Sequence, residues 1–396
     1  MDDRRFDDLS RRVGELALPR LPRRALVGAL GGTALAGALG LALDPESADA
    51  KKKNKKNKKK KCKDEGQKCD KQKCKKKNKK CCCKNLNCKN NRCEGKGGSC
   101  PTKVEFNFTW NSFTPTSGPG TFNAPWGIAS DVDGLLYVTD TNNGRVLIFN
   151  QSGGLTGQFG TIGTENDQFE TPFGIGVNIN NDGNKRVIVA DPGQPSNEKK
   201  LRQFRTSGTF EGHLGVSSLT NPMAVGIDDE DRIWALDATS PGEIFRYGRN
   251  GGTNPVIFSP GGSGSLSSPQ GIALFRDTDN TLYVFVADTG NQRVVKFRYD
   301  NDSSNGLEFV DDAGSAGGGS TSFNQPTGIT VDDCGNLYVA DRINNRVQQL
   351  DKNLNFKSRI TSSFSRPTGV AIPPNANLLY IVDSGNNRVV CLNLVK

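Results

Sequence analysis

Six aspartates punctuate the last three quarters of this 396-residue chain. Asp140, Asp191, Asp237, Asp288, Asp341 and Asp383 each end a short apolar run: LLYVTD, RVIVAD, RIWALD, LYVFVAD, NLYVAD and LLYIVD. Four of them have an arginine five residues on, namely Arg145, Arg293, Arg346 and Arg388. A carboxylate beside a guanidinium could serve acid/base chemistry, but six copies in one register describe a scaffold. In that role a carboxylate that accepts a bidentate guanidinium pair, and caps the N–H groups of its own turn, pins a loop. The pairs Asn142-Asn143, Asn344-Asn345 and Asn386-Asn387 suit the left-handed conformations of such turns. His213, in an EGHLG loop, is the one histidine. Without a G-x-S-x-G elbow, it cannot be assembled into a Ser-His-Asp set.

Cysteine is the other reactive class. Nine of the eleven fall close together: Cys62, Cys69, Cys74, Cys81, Cys82, Cys83, Cys88, Cys93 and Cys100. Their segment has almost no aliphatic residues, so it predicts a small module stapled by disulfides. Zinc is the competing reading, and it is disfavoured because no C-x-x-C pair occurs and His213 is far along the chain. The adjacent cysteines, followed by C-x4-C-x4-C, resemble inhibitor-cystine-knot miniproteins over about forty residues. Nine is an odd number, which leaves one thiol over or pairs it between chains. Cys334 falls in a turn and Cys391 in a strand of the next unit, either free or paired.

Charge divides the chain. Residues 1–50 hold 7 Lys+Arg against 8 Asp+Glu, residues 51–100 hold 22 against 4, and residues 101–396 hold 23 against 30. The overall +10 is therefore a stalk of +18 outweighing an acidic body of −7. Residues 51–61, KKKNKKNKKKK, repel one another and bury nothing, so they read as a disordered linker. That linker suits adhesion to anionic cell-envelope polymers, at about 1 kcal/mol for each lysine near such a surface. No aromatic residue is interleaved to stack on bases, so no dedicated nucleic-acid site is expected. Ahead of it, an arginine-rich stretch from Arg4 to Arg24 leads into an uncharged apolar run, Ala25 to Leu43, and the small-x-small pattern Ser47-Ala48-Asp49-Ala50. Residues 1–50 thus read as an export signal cleaved near Ala50. Arg23-Arg24 before the weakly apolar run resembles a twin-arginine signal. The expected location is outside the cytoplasm, secreted or in the cell envelope. Left uncleaved, the run is long enough to be an N-terminal membrane anchor.

Residues 101–396 repeat six times. Pro125 (FNAPWGI), Pro172 (FETPFGI), Pro222 (LTNPMAV), Pro269 (LSSPQGI), Pro326 (FNQPTGI) and Pro367 (FSRPTGV) are spaced by 47, 50, 47, 57 and 41 residues. Those lengths fit a four-stranded propeller blade. Each unit goes on to a D-G or N-type turn, an apolar strand ending in aspartate, and a basic residue opening another strand. YVTDTNNGRVLIF, VADTGNQRVVKF, YVADRINNRVQQL and YIVDSGNNRVVCL resemble the NHL repeat, and the resemblance covers residues 104–396. It implies an all-β fold, a six-bladed β-propeller. Two units depart from the pattern. In the second, Lys200 stands in place of the arginine after the insertion PGQPSNEK; in the third, Ala224-Val225 replaces Gly-Ile and Glu243 replaces the arginine. The last unit ends soon after its third strand, RVVCLNLVK. Residues Val104 to Trp110, VEFNFTW, are expected to supply the missing fourth strand and latch the ring.

The resemblance also implies where a ligand approaches: the face made by the loops before the inner strands and between the second and third strands. The residue after each proline varies there, as Trp126, Phe173, Met223, Gln270, Thr327 and Thr368. A channel mouth that is half aromatic and half polar suits a protein, peptide or glycan. Packing between blades is the competing reading. Among similar propellers, peptide-amidating lyases use several histidines, and the gluconolactonase and paraoxonase type needs a calcium-centred carboxylate and asparagine set; neither set is assigned here. The ubiquitin and RNA roles of eukaryotic NHL proteins rest on companion domains or a basic propeller face, whereas this body is acidic. The expected organisation is a signal (1–50), a Lys-rich linker (51–61), a disulfide module (62–100) and an NHL propeller (101–396), forming a non-enzymatic binding or scaffold protein with no cofactor. The alternative is a propeller lyase or hydrolase with a metal such as calcium in its channel.

Overall fold

The computed structural model describes residues 86–89, 92–95, 101, 103–111, 121–179, 183–196, 200–300, 306–374 and 376–395. The chain divides into two units, Met1–Lys59 and Lys60–Lys396. The expected signal, the lysine linker and most of the cysteine module lie outside the described residues. Among the described residues no helix is long and apolar enough to cross a membrane. One antiparallel hairpin is described in the cysteine-rich segment, β1 (Leu86–Lys89) with β2 (Arg92–Gly95), in a register that sets Cys88 opposite Cys93.

The following strand, β3 (Lys103–Asn111), precedes the repeats. Blade one is β4 (Pro125–Ser130), β5 (Leu136–Asp140), β6 (Arg145–Phe149) and β7 (Leu155–Phe159). Blade two is β8 (Ile175–Ile179), β9 (Lys185–Ala190), β10 (Leu201–Arg205) and β11 (Phe210–His213). Blade three is β12 (Pro222–Ile227), β13 (Ile233–Asp237), β14 (Glu243–Gly248) and β15 (Gly251–Phe258). Blade four is β16 (Gly271–Arg276), β17 (Leu282–Asp288), β18 (Arg293–Tyr299) and β19 (Leu307–Ala313). Blade five is β20 (Pro326–Val331), β21 (Leu337–Asp341), β22 (Arg346–Leu350) and β23 (Phe356–Ile360). Blade six is β24 (Pro367–Ala371), β25 (Leu378–Asp383) and β26 (Arg388–Val395), with β3 as its outermost strand. The chain therefore folds as six four-stranded antiparallel blades, and the latch expected from the two ends is present. Along it Val390 pairs with Thr109 and Leu394 with Val104.

Burial explains the strand patterns. The second and third strands of blade one, LYVTD and RVLIF, are buried at every position, while the outer strand LTGQF is mostly exposed. A middle strand sandwiched between two neighbouring blades has no solvent face, so it reads as a continuous apolar run rather than an alternating one. Six apolar clusters fill the six blade interfaces. One joins Phe122, Leu136, Leu147 and Phe149 of the first repeat to Tyr380, Val382, Val389 and Cys391 of the last, closing the ring. Each such side chain contributes roughly 1.5–3 kcal/mol on full burial.

The innermost strands approach one another so closely that two glycines have no room for a side chain. A Cβ on Gly271 would lie 2.0 Å from the Thr327 carbonyl oxygen, and one on Gly369 would lie 2.5 Å from that of Trp126. At the far ends of these strands, a turn aspartate anchors each of three blades. Asp131, Asp228 and Asp332 each accept two backbone N–H groups of their own turn. The next strand adds an aromatic donor to each: the Tyr137 hydroxyl, the Trp234 indole N–H and the Tyr338 hydroxyl. Burial, and then the neighbouring carboxylates, push the Tyr137 and Tyr338 phenols up, which keeps them protonated as donors. Cys334 is disulfide-bonded, and Cys391 is a buried thiol.

Candidate functional site

Two sets of residues meet at the end of the ring where the innermost strands begin. The first is the repeated aspartate with its arginine. Arg145 reaches Asp140 at 2.7 Å, Arg293 reaches Asp288 at 2.9 Å, Arg346 reaches Asp341 at 2.7 Å and Arg388 reaches Asp383 at 2.6 Å. All four carboxylates are fully buried. The pairing is not the bidentate one expected. Only Nε meets the carboxylate, and the guanidinium tip turns to backbone carbonyls of the preceding loop, such as Thr121, Ser265 and Ser363. Nor does the carboxylate cap its own turn's N–H groups. It accepts the N–H of the segment leading into its blade, from Asn123, Ser267, Asn324 and Ser365. The side-chain amide three residues on completes the shell, from Asn143, Asn291, Asn344 and Asn386. These groups are saturated by the fold, so they are structural rather than reactive.

The left-handed residue of these turns is Asn345 in blade five and Asn387 in blade six, but Gly144 in blade one and Gln292 in blade four. The two irregular blades substitute in kind. Gln194 supplies the amide to Asp191 at 2.7 Å. Lys200 turns away to the Thr220 carbonyl, and the buried guanidinium of Arg202, two residues later, satisfies the loop carbonyls of Glu165 and Gln168. In blade three Glu243 sits opposite Asp237 and accepts from the Ser259 hydroxyl.

The second set lies at the channel mouth. In blades one, five and six, one extra residue falls between the proline and the strand's first paired apolar residue, as between Pro125 and Ile128. Such a bulge re-aims the side chain it carries. Trp126, Met223, Gln270 and Thr368 border an axial cavity of about 60 Å³, walled further in by Ile128, Ile175, Val225, Ile272, Ile329 and Val370. Trp126 and Phe173, both half-buried, pack edge to face at 4.8 Å. The expected polar half is thinner than its sequence. Thr327 is 0% exposed and Thr368 1%, because their hydroxyls donate to the Thr368 and Trp126 carbonyls of the next blade. They fasten blades together. Met223, 8% exposed, is largely packed. Of the six candidates, the half-buried Trp126 and Gln270 border the cavity, with Phe173 packed against Trp126.

Sequence reasoning missed Arg342. It follows Asp341, at a position where Thr141 and Thr289 hydroxyls donate to the next blade's proline carbonyl at 2.7 and 2.6 Å. Arg342 makes no such bond. Its guanidinium lies 5.3 Å from the Trp126 ring centroid, and its Nη1 donates to Gln325 at 2.8 Å. The signal was available: a long cation where other repeats carry Thr, Pro, Ala or Ser.

His213 stands on the outermost strand of blade two, beside Phe210 and Asn166. Among the described residues no three of His, Cys, Asp and Glu are placed to hold a metal ion. Among the described residues, those bordering the cavity include no carboxylate, imidazole or asparagine, and the nearby arginine disfavours a cation. The mouth therefore does not fit the calcium centre of a lactonase.

Comparison with known proteins agrees on architecture. The NHL repeat matches residues 122–149, and the SMP-30/Gluconolactonase/LRE-like region matches residues 238–386. The Drosophila melanogaster protein brain tumor is 29% identical over 118 residues, covering 30% of this chain and 11% of that protein. Human NHL repeat-containing protein 2 is 24% identical over 310 residues, covering 69% of this chain and 39% of that protein. The chain thus spans well under half the length of both relatives. A gluconolactonase from Xanthomonas campestris superposes with a TM-score of 0.53 at 14% identity, over 69% of this chain and 86% of its own. The likeness to that structure is one of fold.

Proposed function

We propose that this NHL-repeat, six-bladed propeller is an exported, non-enzymatic binding protein that takes a peptide or glycan at its channel mouth. The carrying observation is the half-buried Trp126, which borders an axial cavity and has the half-buried Phe173 packed edge to face against it. A flat apolar face beside a few polar groups is the usual make-up of a small-ligand site. The lysine stretch 51–61 is proposed to hold the protein to anionic envelope polymers, a contact that salt should weaken because screening acts within about 8 Å at physiological ionic strength.

The match of residues 238–386 to the SMP-30/Gluconolactonase/LRE-like region favours a second reading, a lactone hydrolase. Against it stands the channel lining, which offers no carboxylate or asparagine to a catalytic cation.

Glycan and peptide arrays probed with the wild type and with Trp126→Ala and Phe173→Ala test the proposal. The expected result is retention of defined ligands, lost in both variants with little change in melting temperature. Loss of stability without a change in retention would assign the pair to packing, and chelator-sensitive lactone hydrolysis would establish the enzyme instead.

A further inference from the structure

The binding reading leaves the ligand's chemistry open, and the mouth carries more than its aromatic pair. Arg342 belongs to blade five, yet its guanidinium lies over the ring of Trp126 in blade one. The contact joins two blades that are not neighbours in the ring, so the charge sits beside the cavity-bordering Trp126 rather than over its own blade. One nitrogen is held by Gln325, while Nε is buried without a hydrogen-bond partner. Arg366, exposed just before Pro367, is a like charge that acts on it. Among the described residues neither arginine is paired with a carboxylate, although Arg145, Arg293, Arg346 and Arg388 on the same face all are. Burial first, and then the charge of Arg366, hold the Arg342 pKa below its ordinary value. Two uncompensated cations side by side, one of them half-buried, are an arrangement that an anion relieves.

Charge is only part of the pattern. Gln325 is fixed from both sides: its backbone N–H donates to Gln292 at 2.6 Å and its Oε1 accepts from Arg342 at 2.8 Å. That leaves its Nε2 to donate. Gln270 borders the cavity, and among the described residues its side-chain amide makes no hydrogen bond. The mouth therefore offers a flat aromatic face, a planar cation lying on that face and side-chain amides within one small opening. Resting on the binding function proposed above, we infer that the mouth recognises a carboxylate-bearing sugar, a uronic acid residue of an acidic glycan. Its carboxylate would lie against Arg342 and Arg366, its ring beside the edge of Trp126 left by Arg342 and Phe173, and its hydroxyls against Gln270 and Gln325. The enclosed space, about 60 Å³, takes no ring, so the sugar would lie across the mouth, where a flat ring whose hydroxyls meet two side-chain amides fits better than an extended acidic peptide.

The full chain should be titrated calorimetrically with digalacturonic acid, its methyl ester and an acidic hexapeptide, at fixed ionic strength. Wild type is compared with Arg342→Gln, Arg366→Gln and, as a charge-matched control, Arg359→Gln on the exposed outer strand of blade five. The expected result is that the acid binds at least tenfold more tightly than the ester. Arg342→Gln should lose at least tenfold in affinity, while Arg359→Gln keeps the wild-type value and all three variants keep its melting temperature. Loss from the lysine stretch would be common to every variant, so it cannot imitate this pattern. Equal binding of acid and ester, binding of the peptide alone, or an unchanged Arg342→Gln each overturn the inference. If the arrays return ligands that depend on Trp126 but bear no carboxylate, the inference fails and the binding function stands; if nothing depends on Trp126, both fail.

Discussion

Asp341 shows what the repeated carboxylate does. It is fully buried and accepts from Arg346, the Asn344 amide and the Asn324 backbone N–H, so it ties a turn, a strand and the loop that leads into its own blade. Removing its charge leaves the Arg346 guanidinium buried without a counter-ion. Asp341→Asn should cost about 3–5 kcal/mol, whereas Asp341→Asn with Arg346→Met should cost less than the sum of the single changes. Urea unfolding of the four proteins measures this, and simple additivity would mean that the pair is not coupled. A pH-dependent pair lies elsewhere. Burial would raise the Asp277 carboxyl, but the hydrogen bond from Lys352 at 2.6 Å and the N–H of Thr278 outweigh it and hold it below the ordinary range. A depressed carboxylate stabilises above its unfolded pKa and loses that contribution as pH falls through the folded value. The stability gap between wild type and Lys352→Gln should therefore be full at neutral pH and close on acidification; a gap that is constant with pH would deny the linkage. At this scale the sequence revealed the repeated residues and not their partners. The spacing of Asp140 and Arg145 was legible, but Asn123 lies 17 residues upstream of its acceptor, and only the folded blade brings them together.

Single strands decide whether the ring closes. The last repeat supplies three strands and β3 the fourth, so β26 is an exposed edge without it. Deleting residues 101–112 should lower the melting temperature by several degrees or more and expose a pairing edge that promotes association. An unchanged melting temperature in a monomeric product would defeat the latch. The innermost strands are equally constrained: Gly271→Ala would drive a methyl group into the Thr327 carbonyl and should cost about 1–3 kcal/mol or more by overpacking. Blade number, strand order and latch were all legible because six units agree in register and because a propeller must hide both its edges. The mouth was less so. Trp126 and Thr368 occupy the same place in the repeat, but a threonine hydroxyl reaches the neighbouring carbonyl and is lost to packing, whereas an indole cannot be and stays at the rim. Arg342 escaped notice for a related reason: its partner stands on another blade, more than 200 residues away in sequence.

Across the whole molecule, two cysteines of the propeller bear on how the other nine pair. The chain has eleven, nine of them between Cys62 and Cys100. Cys391 is a thiol buried where the first and last repeats meet, and Cys334 is disulfide-bonded. If its partner lies in the same chain, it comes from the cluster, which would leave eight cysteines there, an even set. Such a pairing would account for the odd cysteine expected from sequence without a link between chains. Cys334 sits in the turn between β20 and β21, at the end of blade five away from Arg342, so a covalent link there leaves the mouth open. By the loop-entropy argument, closing more than 200 residues would stabilise the fold by roughly 5 kcal/mol, less any strain. A non-reducing peptide map should find Cys334 joined to one peptide from residues 62–100 of the same chain, with Cys391 alkylated only on unfolding. Cys334→Ser should add one alkylatable thiol to the cluster and lower the melting temperature. Alkylation of Cys334 in the native, unreduced protein would refute the link, as would a disulfide-bonded dimer on a non-reducing gel.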